Sequence, residues 1–218
     1  RSPRAIVLVT VDTLRADRLG AYGSAAGLTP ELDALARDGV VFESAWTTAP
    51  LTVPAHASAL TGLLPPLHGL RTNSPDRRLP DATARPYSTV AEVLRARGFA
   101  TAAFVSASVL NGSRTGLDAG FDVYDDVAPA APGALHDAER RGDETVAAAA
   151  RWLAGADGRF FLWVHLFDPH APYDAPPPWG AGAAHAADAR GYDGEVRFAD
   201  HAVGRLVAAL GAAGHDAA

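Results

Sequence analysis

The apolar positions of this sequence fall into two kinds of run, which predict alternating strands and helices. Continuous apolar runs rich in β-branched or aromatic residues predict strands at 5–12, 40–46, 99–107 and 159–168. Runs with helical spacing, bounded by capping residues and glycine, predict helices at 29–39, 54–62, 88–98, 143–155 and 192–214. The alternation favours an α/β fold with a mostly parallel sheet, and the first strand is expected to be buried on both faces.

Local signals set the predicted helix ends. Thr29 and Ser88 are the predicted N-caps of two helices, because their hydroxyl oxygens can accept hydrogen bonds from the first free N–H groups. Pro54 opens a third helix, since proline needs no N–H partner in the first turn. Gly39 and Gly62 follow the last helical positions and predict the places where two of these helices stop.

Three long segments between the predicted elements are rich in Pro, Gly and Asp: 63–87, 108–142 and 169–191. Long connections of this kind in a compact α/β domain are often functional. The Ala/Pro tract at 128–134 is expected to be a surface linker. Because open α/β sheets bind ligands beyond the carboxyl ends of their strands, polar residues that directly follow a strand are the first functional candidates.

Composition narrows the possible functions. The chain has 218 residues, of which 48% are hydrophobic, so one large domain or two small ones can form a core. Its net charge of −6 provides no general basic field, and no nucleic-acid partner is expected. The absence of cysteine excludes disulfides, thiolate metal sites and cysteine nucleophiles. No apolar run is long enough to predict a transmembrane segment.

Asp12 is the first candidate for a functional side chain, because it ends the first apolar strand. A carboxylate in such a place is costly unless it is paired or binds a cation. The alternative is an Asp that only caps a helix or stabilises a turn. Asp17, slightly further along, has a simpler expected role as a surface partner of Arg15 or Arg18.

Thr52 and His56 form a second candidate pair, at the start of the helix that contains Pro54. A helix N-terminus leaves about three to four N–H groups without helical partners, and these favour an anion such as a phosphate, a sulfate or an alkoxide on Thr52. His56 could donate a hydrogen bond to the anion or to Thr52. The alternative is that Thr52 is only a capping residue and His56 only a structural one.

The segment "HLFDPHAPY" (165–173) places two histidines and an aspartate directly after a strand. His165 is expected to lie in the core of that strand. His170 is the predicted functional residue, because the flanking prolines restrict its backbone and would hold it in a defined position. His68, between prolines and a glycine, is expected to order a turn.

With these residues in view, the chain resembles the sulfatase family of the alkaline phosphatase superfamily. The resemblance runs through "VLVTVDTLRADRLGAYG" (7–23), "TVPAHASALTGLLPPLHGL" (52–70), "FLWVHLFDPHAPY" (161–173) and "YDGEVRFADHAVGRLVAAL" (192–210). It implies an alkaline-phosphatase-like three-layer sandwich, with a mostly parallel central sheet and helices on both faces. It also implies that residues 1–218 are the N-terminal portion of a longer sulfatase-like catalytic domain.

The sequence departs from the family signature, which reads Cys or Ser-x-Pro-Ser-Arg, then three residues, then Leu-Thr-Gly. Here Pro54 and the 60–62 Leu-Thr-Gly match, but Thr52 stands at the nucleophile position, Ala55 replaces Ser and His56 replaces Arg. Threonine cannot be converted to the formylglycine that sulfatases use. Thr52 instead resembles the nucleophile of the phosphodiesterase and phosphotransferase branches, in which a metal-bound threonine attacks phosphorus.

The resemblance also implies roles for other residues. Asp12 matches a metal ligand, although Thr13 follows it where the family usually has a second Asp, and His170 matches a histidine that contacts the transferred group. The family's Lys-x-His after the strand near Phe104 is absent. Its remaining metal ligands, an Asp-His or Asp-Asn pair, are expected beyond Ala218. The implied cofactor is a divalent cation: Ca²⁺, Mg²⁺, Mn²⁺ or Zn²⁺.

The leading hypothesis is a metal-dependent enzyme that cleaves phosphate esters or diesters, or transfers the phosphoryl group. Thr52 is the expected nucleophile and a ligand of the cation together with Asp12, while His56 and His170 stabilise the reacting group. Two alternatives stay open: a sulfatase that works without formylglycine, and a non-catalytic binding protein with this fold. The expected partner is an anionic ester substrate, and the resemblance favours a periplasmic or extracellular location. The sequence indicates no oligomeric state.

Overall fold

The computed structural model describes residues 4–74, 77–126, 139–180 and 189–215, so the predicted linker at 128–134 lies outside the described residues. The chain divides into two compact units. The first unit consists of Arg1–Val9, Trp46–Arg140 and Ala156–Val164, and the second of Thr10–Ala45, Arg141–Gly155 and His165–Ala218.

The described strands and helices alternate along the chain. In order they are β1 Ala5–Val11, α1 Pro30–Asp38, α2 Thr52–Thr61, α3 Pro65–His68, α4 Val90–Ala96, β2 Ala100–Val105, α5 Gly112–Thr115, β3 Val123–Asp125, α6 Gly142–Leu153, β4 Phe160–Leu166 and α7 Ala189–Ala212. No helix among the described residues is both long enough and apolar enough to cross a membrane.

Four strands form one sheet in the order β1-β4-β2-β3. β2 and β3 run parallel. At one end of the sheet the Phe160 N–H donates to the Arg4 carbonyl oxygen at 3.0 Å, and at the other end the Asp12 N–H donates to the Leu166 carbonyl oxygen at 2.9 Å. β1 and β4 therefore start together and end together, which makes them parallel as well. The predicted α/β class with a parallel sheet is confirmed.

Burial differs between β1 and β4, although both have continuous apolar sequences. All seven residues of β4 are buried, so both faces of that strand are covered. All seven residues of β1 are only partly buried, and the prediction that β1 is buried on both faces is wrong. The reason is its place in the sheet: β1 lies at an edge of the described sheet, whereas β4 lies between two strands.

The predicted strand at 40–46 is also wrong. This segment forms no strand in the structure, and Val40 and Trp46 are 80% and 90% exposed. A strand needs a partner for its backbone N–H and C=O groups, and this apolar run pairs with no strand in the described part of the chain. The structure instead adds β3, whose three residues are too few to produce a recognisable alternation.

Four helices begin at residues other than those predicted. Of these, α6 begins at Gly142 and α7 at Ala189, against predicted starts at 143 and 192. The N-cap of α4 is Thr89 rather than Ser88, and Thr89 forms a capping box with Glu92. In this arrangement the Thr89 hydroxyl accepts from the Glu92 N–H while the Glu92 carboxylate accepts from the Thr89 N–H. α2 begins at Thr52, two residues before Pro54, so Thr52 is the first helical residue rather than a cap.

The N-terminus of α1 is capped from a distance within the second unit. Thr29 occupies the predicted N-cap position, but its hydroxyl donates to Asp33 and does not accept from the helix. The Asp200 carboxylate on α7 accepts the Glu31 and Leu32 N–H groups at 3.1 and 2.9 Å. α7 also packs against α6, so this long helix organises the second unit.

Candidate functional site

Thr52 and His56 lie together in the first turn of α2. The backbone of Leu51, which precedes the helix, is extended, and Thr52 is the first residue with helical geometry. His56 Nδ1 lies 2.7 Å from the carbonyl oxygen of Thr52, and its ring centroid lies 5.6 Å from that of Trp163. Because a carbonyl oxygen can only accept, Nδ1 carries a proton, and the lone pair of a neutral His56 is on Nε2.

The backbone at the start of α2 offers fewer N–H groups to an anion than the sequence indicated. The Val53 N–H donates to Asn73 Oδ1 at 2.9 Å, Pro54 has no N–H, and the Ala55 N–H donates to the Leu51 carbonyl oxygen. The expectation of three to four free N–H groups is therefore wrong. No sequence pattern indicates Asn73, which lies 20 residues beyond Val53 and accepts the Val53 N–H from a loop.

Asp12 directly follows β1, and its side chain is only 13% exposed. Its Oδ2 atom lies 3.8 Å from Nε2 of His165. His165 is fully buried, which confirms its predicted place in the core. Its proximity to Asp12 was not predicted, although neighbouring parallel strands that end together bring such residues to the same edge of a sheet.

The turn after Asp12 adopts an unusual backbone conformation. Thr13 has φ +53°, in the left-handed region that costs a β-branched residue roughly 1–2 kcal/mol. Tyr192 donates its hydroxyl proton to the Thr13 carbonyl oxygen and accepts from the Arg15 N–H, at 2.8 and 2.9 Å. Thr13 Oγ1 also donates to the Pro169 carbonyl oxygen at 3.0 Å. These contacts hold the turn that presents Asp12.

His170 is half-buried in the segment that follows β4. Its ring stacks on Phe167, with 4.3 Å between the ring centroids. His170 Nδ1 lies 2.6 Å from the Ala171 carbonyl oxygen, so Nδ1 carries a proton here too. The peptide bonds before Pro169 and Pro172 are both cis. The stacking on Phe167 and the Nδ1 hydrogen bond hold the ring of His170 on one face and at one nitrogen.

A pair of carboxyl groups fixes both ends of the segment that carries His170. Asp168 accepts the Gly142 N–H at 2.9 Å, Glu195 accepts the Asp174 N–H, and the two carboxyl groups are hydrogen-bonded to each other. Burial and the nearby charge of Asp168 raise the pKa of Glu195 to about 8. Burial also raises the pKa of Asp168. At neutral pH Glu195 therefore keeps its proton and donates it to Asp168.

The buried pair of Ser58 and His68 resembles a catalytic dyad but is arranged as a structural contact. His68 Nδ1 accepts the Leu70 N–H at 3.2 Å, so the proton of a neutral ring is on Nε2, 3.1 Å from Ser58 Oγ. The imidazole therefore donates to the hydroxyl and cannot deprotonate it. Burial lowers the pKa of His68, which keeps the ring neutral. The prediction that His68 orders a turn is confirmed.

The predicted site residues are distributed over both units. Thr52 and His56 belong to the first unit, and Asp12 and His170 belong to the second. Within the described ranges, no three His, Asp or Glu side chains cluster in a way that could hold a metal ion. The Asp12 carboxylate and the Thr52 hydroxyl are each hard oxygen donors of the kind that divalent cations prefer.

Comparison with known proteins identifies the family. The family model described as Sulfatase matches residues 4–217. The steryl-sulfatase of Mus musculus is 35% identical over 109 residues, which are 46% of this chain and 17% of that relative. The matched part of the chain thus spans less than a fifth of the relative's length.

Two solved structures show the same fold. The phosphonate monoester hydrolase of Agrobacterium radiobacter has a TM-score of 0.72 at 20% identity, covering 98% of this chain and 60% of that one. A protein of the alkaline phosphatase superfamily from Vibrio parahaemolyticus has a TM-score of 0.68 at 20% identity, covering 96% and 50%. The alkaline-phosphatase-like architecture is thereby confirmed, and by the match over 4–217 this chain belongs to the sulfatase family.

Proposed function

We propose that the protein is a metal-dependent enzyme that cleaves phosphate esters or diesters, or transfers the phosphoryl group, with Thr52 as its nucleophile. The observation that carries this proposal is the first turn of α2. Thr52 is its first residue, at the position of the family's nucleophile by resemblance, and His56 Nδ1 donates to the backbone carbonyl oxygen of Thr52 at 2.7 Å. Threonine provides a hydroxyl nucleophile but no route to formylglycine, which favours phosphorus over sulfur chemistry.

The reaction proceeds in two displacements at phosphorus. In the first, Thr52 Oγ1 forms a bond to phosphorus, the bond from phosphorus to the leaving oxygen breaks, the hydroxyl proton of Thr52 passes to solvent, and the leaving group takes up a proton. The product at position 52 is a phosphothreonine when the substrate is a monoester, and a phosphothreonine that keeps the second ester group when the substrate is a diester. In the second, water or another hydroxyl attacks the same phosphorus and the bond to Thr52 Oγ1 breaks, which restores the threonine.

We propose that Asp12 and Thr52 contribute oxygen ligands to a divalent cation, with further ligands elsewhere in the protein. Such a cation lowers the pKa of a coordinated hydroxyl and neutralises charge on the reacting group. Asp12 suits this role because its carboxylate is held at the end of β1 by its N–H bond to Leu166 and by the turn at Thr13.

His56 and His170 stabilise the reacting group through Nε2. In both residues Nδ1 is committed to a backbone carbonyl oxygen, which fixes the orientation of the ring. A histidine in that state donates to a phosphate oxygen from Nε2 only when it is an imidazolium, and as a neutral ring it can accept a proton there. The imidazolium form is the one that binds an anionic oxygen of the reacting group from Nε2.

The structurally similar phosphonate monoester hydrolase of Agrobacterium radiobacter supports chemistry at phosphorus on this fold. The sulfatase relative instead favours a second candidate function, sulfate-ester hydrolysis without formylglycine. A periplasmic or extracellular location is proposed on the family resemblance.

The test compares full-length enzyme, loaded with divalent cation, on an aryl phosphate diester and the matching aryl sulfate. We expect the diester to be the better substrate by kcat/KM, Thr52→Ala to abolish its turnover, and Thr52→Ser to retain part of it. Full activity of Thr52→Ala would exclude Thr52 as the nucleophile. A preference for the sulfate that depends on Thr52 would favour the second candidate.

A further inference from the structure

A cleft with a volume of about 630 Å³ lies in the first unit, outside the residues assigned above to the reaction. α3 and the segment up to Thr72 form one part of its lining, and residues between Arg77 and Tyr87 form another. A volume of this size is typical of a binding site for an organic molecule rather than for a single ion.

The lining of this cleft is strongly cationic. It contains Arg71, Arg77, Arg78 and Arg85, and no acidic residue belongs to the described lining. The whole chain carries a net charge of −6, so this concentration of arginine runs against the overall composition. A concave surface with charges of one sign raises the local concentration of ligands of the opposite sign.

The four arginines differ in whether their guanidinium groups already pair with other groups of the protein. The Arg85 side chain is buried, donates to the Pro80 carbonyl oxygen and pairs with Glu92, so it supports the wall of the cleft. Arg78 approaches Asp118 only at 3.9 Å, with both side chains about half exposed.

Arg71 and Arg77 are the cations that remain available to a ligand. Both are exposed, and within the part of the chain that the structure describes neither forms an ion pair. Guanidinium groups of this kind bind phosphate, sulfate or carboxylate through two parallel hydrogen bonds.

We propose that this cleft binds an organic molecule that carries more than one phosphate or sulfate group, with Arg71 and Arg77 as the principal contacts. Several cations in one cleft favour a multiply charged ligand over a monoanion, because each guanidinium then has an anionic partner. Tyr87 and Pro86 also line the cleft and provide an apolar surface for the organic part of the ligand.

The chain connects this cleft to the start of α2. Asn73 binds the Val53 N–H, directly beside Thr52, and Arg71 precedes Asn73 by two residues. Two residues of extended chain span at most about 7 Å. The segment that lines the cleft thus also supports the first turn of α2, and we infer that a ligand held at Arg71 extends toward Thr52. This last step rests on the proposed function, and the cleft would then select substrates with an additional charge.

The test measures binding without turnover. Isothermal titration calorimetry is performed on the full chain with naphthalene-1,5-disulfonate and with naphthalene-1-sulfonate, which contain no ester bond and cannot be hydrolysed. The test variant is Arg71→Gln/Arg77→Gln. The control variant Arg37→Gln/Arg205→Gln removes the same charge from exposed positions in the second unit.

We expect the disulfonate to bind the unmodified chain at least about fivefold more tightly than the monosulfonate, and the test variant to lose at least about fivefold of that affinity. The control variant should stay within about twofold of the unmodified chain. A smaller loss in the test variant, or an equal loss in the control, would overturn the inference. The result is independent of whether Thr52 is a nucleophile, so failure of either proposal can be recognised separately.

Discussion

The carboxyl group of Glu195 on α7 is hydrogen-bonded to the carboxyl group of Asp168, which follows β4. The two side chains lie close enough to share one proton, and each also accepts a backbone N–H, from Gly142 to Asp168 and from Asp174 to Glu195. Arg141 partly offsets the charge of the pair and itself pairs with Asp174 at 3.2 Å. This arrangement fixes the segment that carries His170.

The shared proton predicts a loss of stability at alkaline pH. The pKa of Glu195 is raised from 4.5 to about 8 in the folded protein, so between these values the folded state holds a proton that the unfolded chain has lost. The stabilisation is complete below about pH 4.5 and is lost as the pH rises through about 8. We expect the free energy of unfolding, measured with urea, to be lower at about pH 9 than at about pH 5, by on the order of 1–3 kcal/mol.

Glu195→Gln should flatten this dependence, because the amide can still donate to Asp168 and accept from Asp174 but does not titrate. Glu144→Gln, at an exposed position in the first turn of α6, is the matched control and should retain the slope of the unmodified protein. An unchanged slope in Glu195→Gln would show that another group causes the dependence.

The Tyr192 hydroxyl is expected to support divalent-cation binding, because it holds the turn that presents Asp12. Tyr192→Phe removes the two hydrogen bonds that hold the turn at Thr13, and we expect a loss of roughly 1–2 kcal/mol in stability. We also expect weaker divalent-cation binding by the full-length enzyme, because Asp12 is no longer held in place. Tyr173→Phe, whose ring contacts Tyr192 edge-on, is the control. Equal effects of the two variants would argue against a positioning role.

Asn73 should affect both the stability of α2 and the binding of anionic substrates. Asn73→Ala leaves the Val53 N–H without its acceptor, and we expect thermal unfolding to report a loss of about 1 kcal/mol. Asn73→Asp keeps an acceptor and should restore stability, but it adds a negative charge beside Thr52. We therefore predict a raised KM for phosphate esters in Asn73→Asp despite a normal melting temperature. An unchanged KM would show that the N-terminal end of α2 does not contribute to substrate binding.

Asp12→Asn should lower the affinity of the full-length enzyme for divalent cations, because it removes a ligand charge while preserving the shape of the side chain. Asp17→Asn is the control, since Asp17 pairs with Arg15 at 2.6 Å on an exposed surface, as the sequence predicted. The measurement is the metal content of each variant and of the unmodified enzyme after dialysis. Equal metal contents in Asp12→Asn and the unmodified enzyme would remove Asp12 from the ligand set.

The sequence predicts those parts of the fold that depend on neighbours along the chain. The bounds of α1 between Thr29 and Gly39, and the buried run of β4, follow from capping chemistry and from continuous apolarity. The 40–46 segment shows the limit of this reasoning, because its β-branched residues have strand propensity but the described sheet gives them no partner.

Within the candidate site the same distinction holds. Thr52 and His56 share a helical turn, so their proximity follows from sequence spacing alone. The supports of the site come from distant segments: Asn73 at the start of α2, Tyr192 at the turn after β1 and Glu195 beside Asp168. Each is a polar residue whose partner is chosen by tertiary packing, and spacing along the chain carries no information about it.

The most direct test of the central claim is to look for the covalent product on Thr52. Full-length enzyme with bound cation is mixed with an aryl phosphate diester, quenched during turnover and digested for mass spectrometry. We predict that the peptide containing Thr52 carries the phosphoryl group together with the remaining ester group of the diester, that the label moves to serine in Thr52→Ser, and that Thr52→Ala loses both label and turnover. Continued turnover by Thr52→Ala, or a label that stays in the peptide of that variant, would contradict the account.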